Sequence, residues 1–294
     1  MIQVTPLGQA KKRPRKIAIG TFDGVHIGHR EVIRGADTVL TFEPHPLEVL
    51  RPEAAPRLLM PFDVKRDVLE GIGVEEVVVI DFDQDFTKTS AESFIDEILI
   101  DQLSAQSVAV GENFRFGTGA KGTPEMLSCR REFETRVVPL VSQGGQTVSS
   151  SRIRDLVTAC EMAEARACLG VPFMVEGVVV EGERRGRELG YPTANIVPDE
   201  RLATPGHGIY AAFANGMPAA VSIGLRPTFA SELGVLIEVY LLGQEIDLYG
   251  KKLRVAFVER LRDELKFDSV DDLIAQMDLD VRNAERVCAS FQRP

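Results

Sequence analysis

Short apolar runs alternate with amphipathic segments along the first half of the chain. Residues 17–19, 38–42 and 76–80 are apolar runs of the kind that form strands buried on both faces of a sheet. Residues 61–72 and 90–102 carry the mixed pattern of helices. Strands that alternate with helices predict an α/β domain with a parallel sheet, whose ligands bind beyond the carboxyl ends of the strands. Two further strands are predicted at residues 107–110 and 135–140.

The pattern changes in the second half, where apolar runs follow one another without helices between them. Gly, Pro and Asn separate these runs, which is typical of a small antiparallel β-barrel or sheet. Residues 269–291 predict a terminal helix that packs on the barrel through one apolar face. We expect a first domain over 1–158, a linking helix over 159–171 and a barrel domain over 172–294. The predicted strands are residues 173–180, 208–214, 219–223, 236–242 and 253–258, and the helix face carries Leu273, Met277, Val281, Ala284 and Val287.

Composition and charge argue against several classes of protein. A length of 294 residues suggests two domains, and a net charge of -10 argues against a general nucleic-acid or membrane-surface binder. The one basic run, residues 11–16, predicts a solvated arm. No apolar run suits a signal peptide or a membrane span. The four cysteines are scattered, which fits a reduced cytoplasm better than disulfides or zinc.

The strongest candidate site follows the first apolar run, in the stretch IAIGTFDGVHIGH at residues 17–29. A strand, a Gly-containing turn and a helix start together form an anion site, because backbone N–H groups point out of the helix start. His26 and His29 add donors at its mouth, and Gly28 leaves room for a ligand. Two other interpretations are a metal pair, which lacks a nearby third ligand, and ordinary surface histidines.

Two other strand ends carry polar turns that would face the same crevice, EPHP at residues 43–46 and GENFRFG at residues 111–117. Within the second turn, Asn113, Phe114 and Arg115 suit contact with a flavin or a nucleotide, and buried packing is an equal alternative for the phenylalanine. The GxGxxG match at residues 117–122 comes six residues after its strand, so we interpret it as a flexible loop.

A run of three serines followed by two arginines, residues 149–154, begins another predicted helix. Hydroxyl groups at a helix cap and two guanidinium groups suit a triphosphate. The alternative is that Arg152 or Arg154 pairs with a nearby acid such as Asp155.

The second half carries a separate candidate site. Thr193 and Asn195 stand two residues apart, so in an extended segment their oxygens point to one face and suit a Mg²⁺ ion with phosphate. A turn followed by a solvated strand edge is an equal alternative. Glu238 lies within an apolar strand, where a carboxylate either faces solvent or takes part in chemistry.

Ten motifs occur in an order that resembles one bacterial enzyme family. The first, TFDGVHIGH, contains a HIGH element similar to the phosphate-contacting motif of the nucleotidylyltransferase superfamily. Over nearly the whole chain the order resembles the bifunctional riboflavin kinase/FMN adenylyltransferases, or FAD synthetases. The other nine motifs are TFEPHP, GENFRFG, SSSRIR, GRELGYPTAN, GIYA, SIGLRPTF, IEVYLL, LYG and LRDELKFDS.

The resemblance implies a Rossmann-like nucleotidylyltransferase domain followed by a kinase barrel, and two successive reactions. The barrel would phosphorylate riboflavin with ATP, and the first domain would transfer AMP from ATP to FMN and release pyrophosphate. Glu238 matches the general base of the kinase, while Thr193 and Asn195 match its Mg²⁺ and phosphate ligands. His26 and His29 match the catalytic histidines of adenylyl transfer.

The resemblance also implies the remaining binding residues. Mg²⁺ is the implied cofactor, ATP the co-substrate, and FMN and FAD the products. The implied partners are small-molecule substrates alone, without nucleic acid or membrane, for a cytoplasmic monomer or transient homo-oligomer. Nucleotide and phosphate binding is expected at Gly20, Phe22, Asp23, Gly24, Gly28, Ser149, Ser150, Ser151, Arg152, Arg154, Gly182, Gly186 and Gly190, and flavin binding at His45, Asn113, Phe114, Arg115 and Arg226.

Two places depart from the family pattern. Only residues 30–37 connect the HIGH element to the next strand, where family members usually have a longer helix and loop, so we expect a helix of about two turns. Ser222 stands where the family commonly has Asn, although a hydroxyl can still donate and accept.

Two alternative functions stay open at this point. One is a riboflavin kinase whose first domain is degenerate and serves flavin binding or regulation. The other is a different HIGH-superfamily enzyme with another phosphate acceptor, against which the PTAN-containing barrel argues.

Overall fold

The computed structural model describes residues 2–181, 189–225, 235–244 and 246–291. The chain divides into two compact units, Met1–Ser150 and Ser151–Pro294. Each unit has its own apolar core. None of the helices in the described part of the chain is both long and apolar enough to cross a membrane.

Six strands form one parallel sheet in the first unit, in the order β1-β4-β3-β2-β5-β6. The central strands are apolar because both faces are covered, and Ile17, Val39 and Leu40 are fully buried. Five of these strands confirm the sequence predictions; the first, which contains Gln3 and Thr5, was not predicted. The strands are β1 (Gln3–Pro6), β2 (Arg15–Ile19), β3 (Thr38–Glu43), β4 (Glu76–Asp81), β5 (Ala105–Gly111) and β6 (Glu134–Val138).

Helices connect these strands, and two of them begin close to the predicted positions. Ser90 caps α4, since its side chain accepts a hydrogen bond from the backbone N–H of Ser93. Pro61 takes the cap position of α3. The helices are α1 (Ile27–Ile33), α2 (Pro46–Leu50), α3 (Phe62–Gly71), α4 (Ala91–Ser93, continued by the π-helical segment Phe94–Gln102) and α5 (Pro124–Ser128); a hairpin of β7 (Ser142–Gln143) and β8 (Gln146–Thr147) follows.

The basic run at residues 11–16 is largely exposed, but the prediction of a solvated arm was wrong for Arg15. Arg15 opens β2, and its side chain is 1% exposed. Its Nε donates to Glu76 Oε2 at 2.9 Å, and Arg13 reaches the same oxygen at 2.7 Å. A buried guanidinium needs such a partner, because an unpaired charge in the interior is very costly.

The short helix α1 is tied down at its carboxyl end by one side chain from β6. Arg136 donates to the backbone oxygens of Glu31, Val32 and Arg34 at 2.9, 2.8 and 2.7 Å. The last carbonyl groups of a helix have no partners within the helix and carry partial negative charge, so a guanidinium group stabilises them. The helix has seven residues, which confirms the predicted length of about two turns.

The second unit is a closed antiparallel barrel, which confirms one of the two predicted architectures. Its strands follow the order β10-β13-β12-β11-β14-β9 around the barrel. The strands are β9 (Phe173–Val180), β10 (Ala194–Ile196), β11 (Gly208–Ala214), β12 (Met217–Leu225), β13 (Val235–Leu241) and β14 (Lys252–Arg262).

Strand β13 shows how the barrel separates its two faces. Ile237, Val239 and Leu241 are buried inside, whereas Glu238 and Tyr240 between them are half-buried on the outer face. The terminal helix packs on β11, β12 and β14, which confirms the predicted helix. The helices of this part are α6 (Ser150–Thr158), α7 (Met162–Leu169) and α8 (Val270–Ser290).

Candidate active sites

The HIGH segment forms the cap and the first turn of α1, directly after the turn at residues 20–25 that follows β2, and His26 is the cap of the helix. The Nδ1 atom of His26 accepts a hydrogen bond from the backbone N–H of His29 at 3.2 Å. An Nδ1 atom that accepts cannot carry a proton, so the neutral ring of His26 carries its proton on Nε2. The cap therefore fixes which nitrogen of His26 can donate to a ligand.

The two histidine rings stack on each other. Their centroids are 3.5 Å apart at an interplanar angle of 16°, and the ring of Phe22 meets His29 edge-on at 5.3 Å. Gly28 permits this arrangement, because a Cβ atom there would lie 3.2 Å from Cε1 of His26. Phe22 has a φ of 50°, a rare value for a residue with a side chain, which marks this turn as strained.

Both histidines are neutral at neutral pH. Burial lowers the pKa of His26 to about 4. Burial, together with the positive charges of His26 and Lys65, lowers the pKa of His29 well below 6.5. The pair thus offers neutral N–H donors, and any positive charge close to them must come from another residue.

The polar groups around this turn hold the turn itself. The Oδ1 atom of Asp23 accepts from the backbone N–H of Leu59 at 2.8 Å, and Ser150 donates to the backbone oxygen of Asp23 at 2.9 Å. Asp23 is 3% exposed. A Cβ atom at Gly20 would lie 3.1 Å from the ring of Phe22, and Gly24 has a φ of 88°. These positions build the shape of the turn on which the histidines stand.

The other predicted turns follow the strands on either side of β2. His45 caps α2, where its side chain accepts from the backbone N–H of Leu47 and Glu48 completes the capping box. Asn113 and Arg115 are exposed after β5, and Phe114 stacks on the buried Phe116 at 5.5 Å. Because β3, β2 and β5 are parallel neighbours, their carboxyl-end turns share one edge of the sheet.

The GxGxxG segment is a closely packed loop with a 3₁₀ turn at Thr118–Ala120, rather than the flexible loop that the sequence predicts. A Cβ atom at Gly117 would lie 2.6 Å from the backbone nitrogen of Ala91, and one at Gly122 would lie 2.7 Å from the ring of Phe116. Close packing alone therefore explains both glycines, and no bound nucleotide is needed to account for them.

The serine and arginine run spans the boundary between the two units. Ser149 and Ser150 belong to the first unit, and Ser151, Arg152 and Arg154 belong to the second. The guanidinium group of Arg152 lies 4.0 Å from the carboxylate of Glu164 on α7.

In the second unit, three polar side chains lie side by side on the outer face of the barrel. Asn195 on β10 is directly opposite Glu238 on β13, and Ser222 on β12 is opposite Glu238 on its other side. Directly opposed residues of antiparallel strands point to the same face. Thr193 stands two residues before Asn195 in the segment that leads into β10. An amide, a carboxylate and a hydroxyl group thus lie across three neighbouring strands.

This outer face lines a cavity of about 1060 Å³. Tyr191 and Tyr240 meet there edge-on at 5.3 Å, and the hydroxyl group of Tyr191 donates to Oδ1 of Asp278 on α8. That hydrogen bond is the main reason why the pKa of Tyr191 is raised to about 12. A polar row beside aromatic and apolar walls suits a ligand with a flat ring and a polar chain. The walls include Thr193, Asn195, Ser222, Glu238, Leu265, Phe267, Leu273, Met277 and Val281.

Three predicted residues, Gly182, Gly186 and Arg226, lie outside the described residues. Gly190 is described and has a φ of 87°, which favours glycine. No group of three or more His, Cys, Asp and Glu side chains suitable for a metal occurs in the described ranges.

Sequence analysis missed two residues that organise the first unit, Lys65 and Arg136. Lys65 lies within the amphipathic helix α3 but is 6% exposed, and Arg136 reaches the end of α1 from β6. The sequence does not indicate which groups an isolated basic residue contacts, because those groups are distant along the chain.

Two family models match the chain, one for each unit. The model described as FAD synthetase matches residues 8–152, and the model described as riboflavin kinase matches residues 169–288.

Curated relatives match nearly the whole chain. A bifunctional riboflavin kinase/FMN adenylyltransferase of Escherichia coli strain K12 is 35% identical, covering 92% of each chain. The protein of the same description from Bacillus subtilis strain 168 is 31% identical, covering 94% of this chain and 93% of its own length.

A solved structure shares the fold. A protein from Streptococcus pneumoniae, described as a macrolide-efflux protein, superposes with a TM-score of 0.87 at 30% identity, over 99% of this chain and 100% of that one.

Proposed function

The chain belongs to the bifunctional riboflavin kinase/FMN adenylyltransferase family, and from this premise we propose which of its residues carry out each of the two reactions. It is a riboflavin kinase and an FMN adenylyltransferase, with a flavin and ATP as substrates. The observation that carries this function is the match of both family models, in order, within relatives aligned over nearly the full length.

The first unit carries the FAD synthetase match, so we assign adenylyl transfer to it. A phosphate oxygen of FMN attacks the α-phosphorus of ATP, and the bond to the leaving pyrophosphate breaks. This step needs no general base, because the second pKa of a phosphate monoester lies near ~6 and the nucleophile is already ionised at neutral pH. The protein therefore has to position the two phosphates and stabilise charge.

His26 and His29 are the residues proposed for that task. They stand at the start of α1, where backbone N–H groups also point outward, and they are neutral donors. A neutral donor can bind a phosphate oxygen without a competing proton equilibrium near neutral pH. Ser149, Ser150, Ser151, Arg152 and Arg154 are proposed as further phosphate ligands on the family resemblance, as are Gly20, Phe22, Asp23, Gly24 and Gly28 as the backbone of the site.

The barrel carries the riboflavin kinase match, so we assign phosphorylation of riboflavin to it. A ribityl hydroxyl group attacks the γ-phosphorus of ATP, and ADP leaves. The attacking alcohol is neutral, so a base is useful, and Glu238 is proposed to accept its proton. The cavity over the outer face is large enough to hold the substrates beside Glu238.

Mg²⁺ fits the residues beside Glu238. Thr193 and Asn195 offer a hydroxyl and an amide oxygen, and hard oxygen donors are what Mg²⁺ prefers. The ion usually takes few protein ligands and completes its shell with water and phosphate. When bound, it would neutralise charge on the transferred phosphoryl group, while Thr193 and Asn195 hold the nucleotide in position.

The remaining assignments rest on the family resemblance. His45, Asn113, Phe114, Arg115 and Arg226 are proposed to contact flavin, and Gly182, Gly186 and Gly190 to contact nucleotide. The domain limits 1–158, 159–171 and 172–294, a monomer or transient homo-oligomer and a cytoplasmic location are kept as proposals on the same ground.

A time course of products tests the proposed function. The purified protein is incubated with riboflavin, ATP and Mg²⁺, and FMN and FAD are separated by chromatography. FMN that appears first and is then converted to FAD is the expected result. FMN that accumulates without FAD would instead support the alternative of a kinase with a degenerate first unit.

A further inference from the structure

Lys65 is a buried cation beside the histidine pair that no motif of the sequence indicates. It lies on α3 and is 6% exposed. A buried ammonium group requires compensating partners, because removing its charge from water is costly. Its position is therefore determined by the groups that it contacts.

Those contacts join two turns at the carboxyl edge of the sheet. The Nζ atom of Lys65 donates to Oε1 of Glu43 at 2.8 Å and to the backbone oxygen of Thr21 at 3.2 Å. Thr21 belongs to the turn after β2, which leads into the HIGH segment, and Glu43 is the last residue of β3. Thr41 donates to the same oxygen of Thr21 at 3.3 Å. A single ammonium group thus holds the histidine turn against the neighbouring strand.

Lys65 also acts electrostatically on the histidines. Its positive charge is one of the causes that lower the pKa of His29, after burial and the charge of His26. The other charged groups close to this turn are engaged elsewhere: Asp23 accepts from the backbone of Leu59, and Nε of Arg30 donates to the backbone oxygen of Val25. Glu43 is itself paired with Lys65.

We propose that Lys65 is a positioning residue for adenylyl transfer, which fixes the histidine turn through Thr21 and Glu43 and places an ammonium group near His29. The proposal rests on the proposed role of the histidine pair.

Two substitutions and one matched control test this proposal. Lys65→Met keeps the length of the side chain without its charge, and Lys65→Arg restores a charge with different geometry. Arg66→Met is the control, because Arg66 is the next residue of the same helix and its side chain is 38% exposed. Phosphorylation of riboflavin reports in every variant whether the barrel is folded, and amide NMR spectra report whether the first unit, which contains Lys65, is folded.

The expected result is a loss of rate in adenylyl transfer alone. Lys65→Met lowers kcat for conversion of supplied FMN to FAD by at least about tenfold, and a factor of ten corresponds to about 1.4 kcal/mol of activation free energy. Lys65→Arg restores part of that rate, and Arg66→Met leaves the rate unchanged. The FMN phosphate, whose second pKa lies near ~6, sets the acid limb of the kcat/KM profile, so the protonation of His29 is followed by direct titration instead. A kcat of Lys65→Met within about threefold of the unchanged protein overturns the proposal.

A direct titration separates this proposal from the proposed function. The chain has four histidines, so the imidazole resonances of the intact protein can be followed by NMR across pH. His29 is expected to titrate at higher pH in Lys65→Met than in the unchanged protein or in Arg66→Met. If the unchanged protein makes no FAD, the adenylyltransferase assignment fails, and the titration still decides the role of Lys65. If His29 titrates at the same pH in Lys65→Met as in the unchanged protein, the proposed role of Lys65 is overturned.

Discussion

Asn195 and Glu238 lie directly opposite each other on adjacent antiparallel strands, with both side chains on the outer face of the barrel. The neighbouring residues Ile196 and Ile237 are fully buried on the inner face. This register separates the packing of the barrel from its proposed chemistry. Glu238 is half-buried whereas Asn195 is 5% exposed, so a substitution at Glu238 can change the reaction without removing a fully buried side chain.

Glu238→Gln is expected to abolish FMN formation while leaving adenylyl transfer to supplied FMN intact. Gln has nearly the same shape but cannot accept the proton of the attacking hydroxyl, and general base catalysis contributes typically about 10²–10⁴-fold. Both rates are measured on the same preparation by chromatography. Glu259→Gln is a matched control, because Glu259 is exposed on β14.

Equal loss of both reactions in folded Glu238→Gln would contradict the division of labour between the units. Retention of kinase activity within about threefold would contradict the role of Glu238 as base, since the expected loss is at least about 100-fold. The control variant is expected to retain both rates.

His29→Ala is expected to show the reverse pattern. It removes a donor proposed to stabilise charge on the phosphates, and the loss of one such donor costs about 10²–10³-fold in kcat. It also removes one ring of the stacked pair, so KM for ATP is expected to rise as well. His207→Ala is the control, because His207 is 42% exposed in the other unit. A folded His29→Ala variant with normal FAD formation would refute the assignment.

The sequence predicted the fold well because its strongest signals are local. Apolar runs predicted five of the six sheet strands, and β1 was missed because its Gln and Thr interrupt the apolar pattern. The HIGH turn was recognised because a strand, a glycine turn and a helix start follow each other directly. The basic run was misread because the burial of Arg15 depends on Glu76, which lies 61 residues away.

Contacts between residues that are distant along the chain are also what the sequence could not predict about the sites. The sequence left open whether Glu238 faces solvent or takes part in the reaction. Only the strand register places Asn195 and Ser222 beside it. Arg136 acts through backbone oxygens, which every residue has, and Lys65 contacts the backbone oxygen of Thr21 and the carboxylate of Glu43, both distant along the chain. Backbone partners leave no trace in residue type, and distant partners are not indicated by local pattern, so these contacts emerge only from the folded chain.

The buried histidine cap predicts how the stability of the first unit changes with pH. The pKa of His26 is about 4 in the folded protein, against about 6.5 for an unfolded imidazole. Between these values the unfolded state binds more protons, so stability falls as the pH falls from about 6.5 to about 4, by at most about 1.4 kcal/mol per pH unit for this group.

Calorimetric unfolding between pH 4.5 and 7.5 measures this slope. His26→Asn serves as the comparison, because an amide oxygen can still accept from the N–H of His29 but does not titrate. We expect the transition of the first unit to depend less on pH in the variant. Identical pH dependence in the two proteins would show that His26 titrates normally.

Arg136→Met is expected to loosen α1 without disturbing the barrel. Three hydrogen bonds to the last carbonyl oxygens of the helix are lost, at a cost of about 1 kcal/mol or more. A helix of seven residues has little stability of its own, so its amide protons at the carboxyl end are expected to exchange faster with solvent. Hydrogen exchange measures the effect, and Arg131→Met is the control because Arg131 is exposed in a loop. Unchanged exchange in α1 would show that the cap is dispensable.

Ser222 and Val221 offer a paired test of which barrel face carries the chemistry. Ser222 is half-buried beside Glu238 on the outer face, whereas Val221 is fully buried inside. Ser222→Asn therefore places an amide in the cavity, and the kinase rate is expected to stay within about threefold, because an amide can donate and accept as a hydroxyl does. Val221→Asn places the same amide at a fully buried position, where it costs roughly 3–5 kcal/mol through lost packing and an unpaired polar group. The midpoint of thermal unfolding and the kinase rate, measured on both variants, show which of the two positions tolerates the amide. If Ser222→Asn unfolds the barrel as strongly as Val221→Asn does, the outer face is not the open side of a substrate cavity.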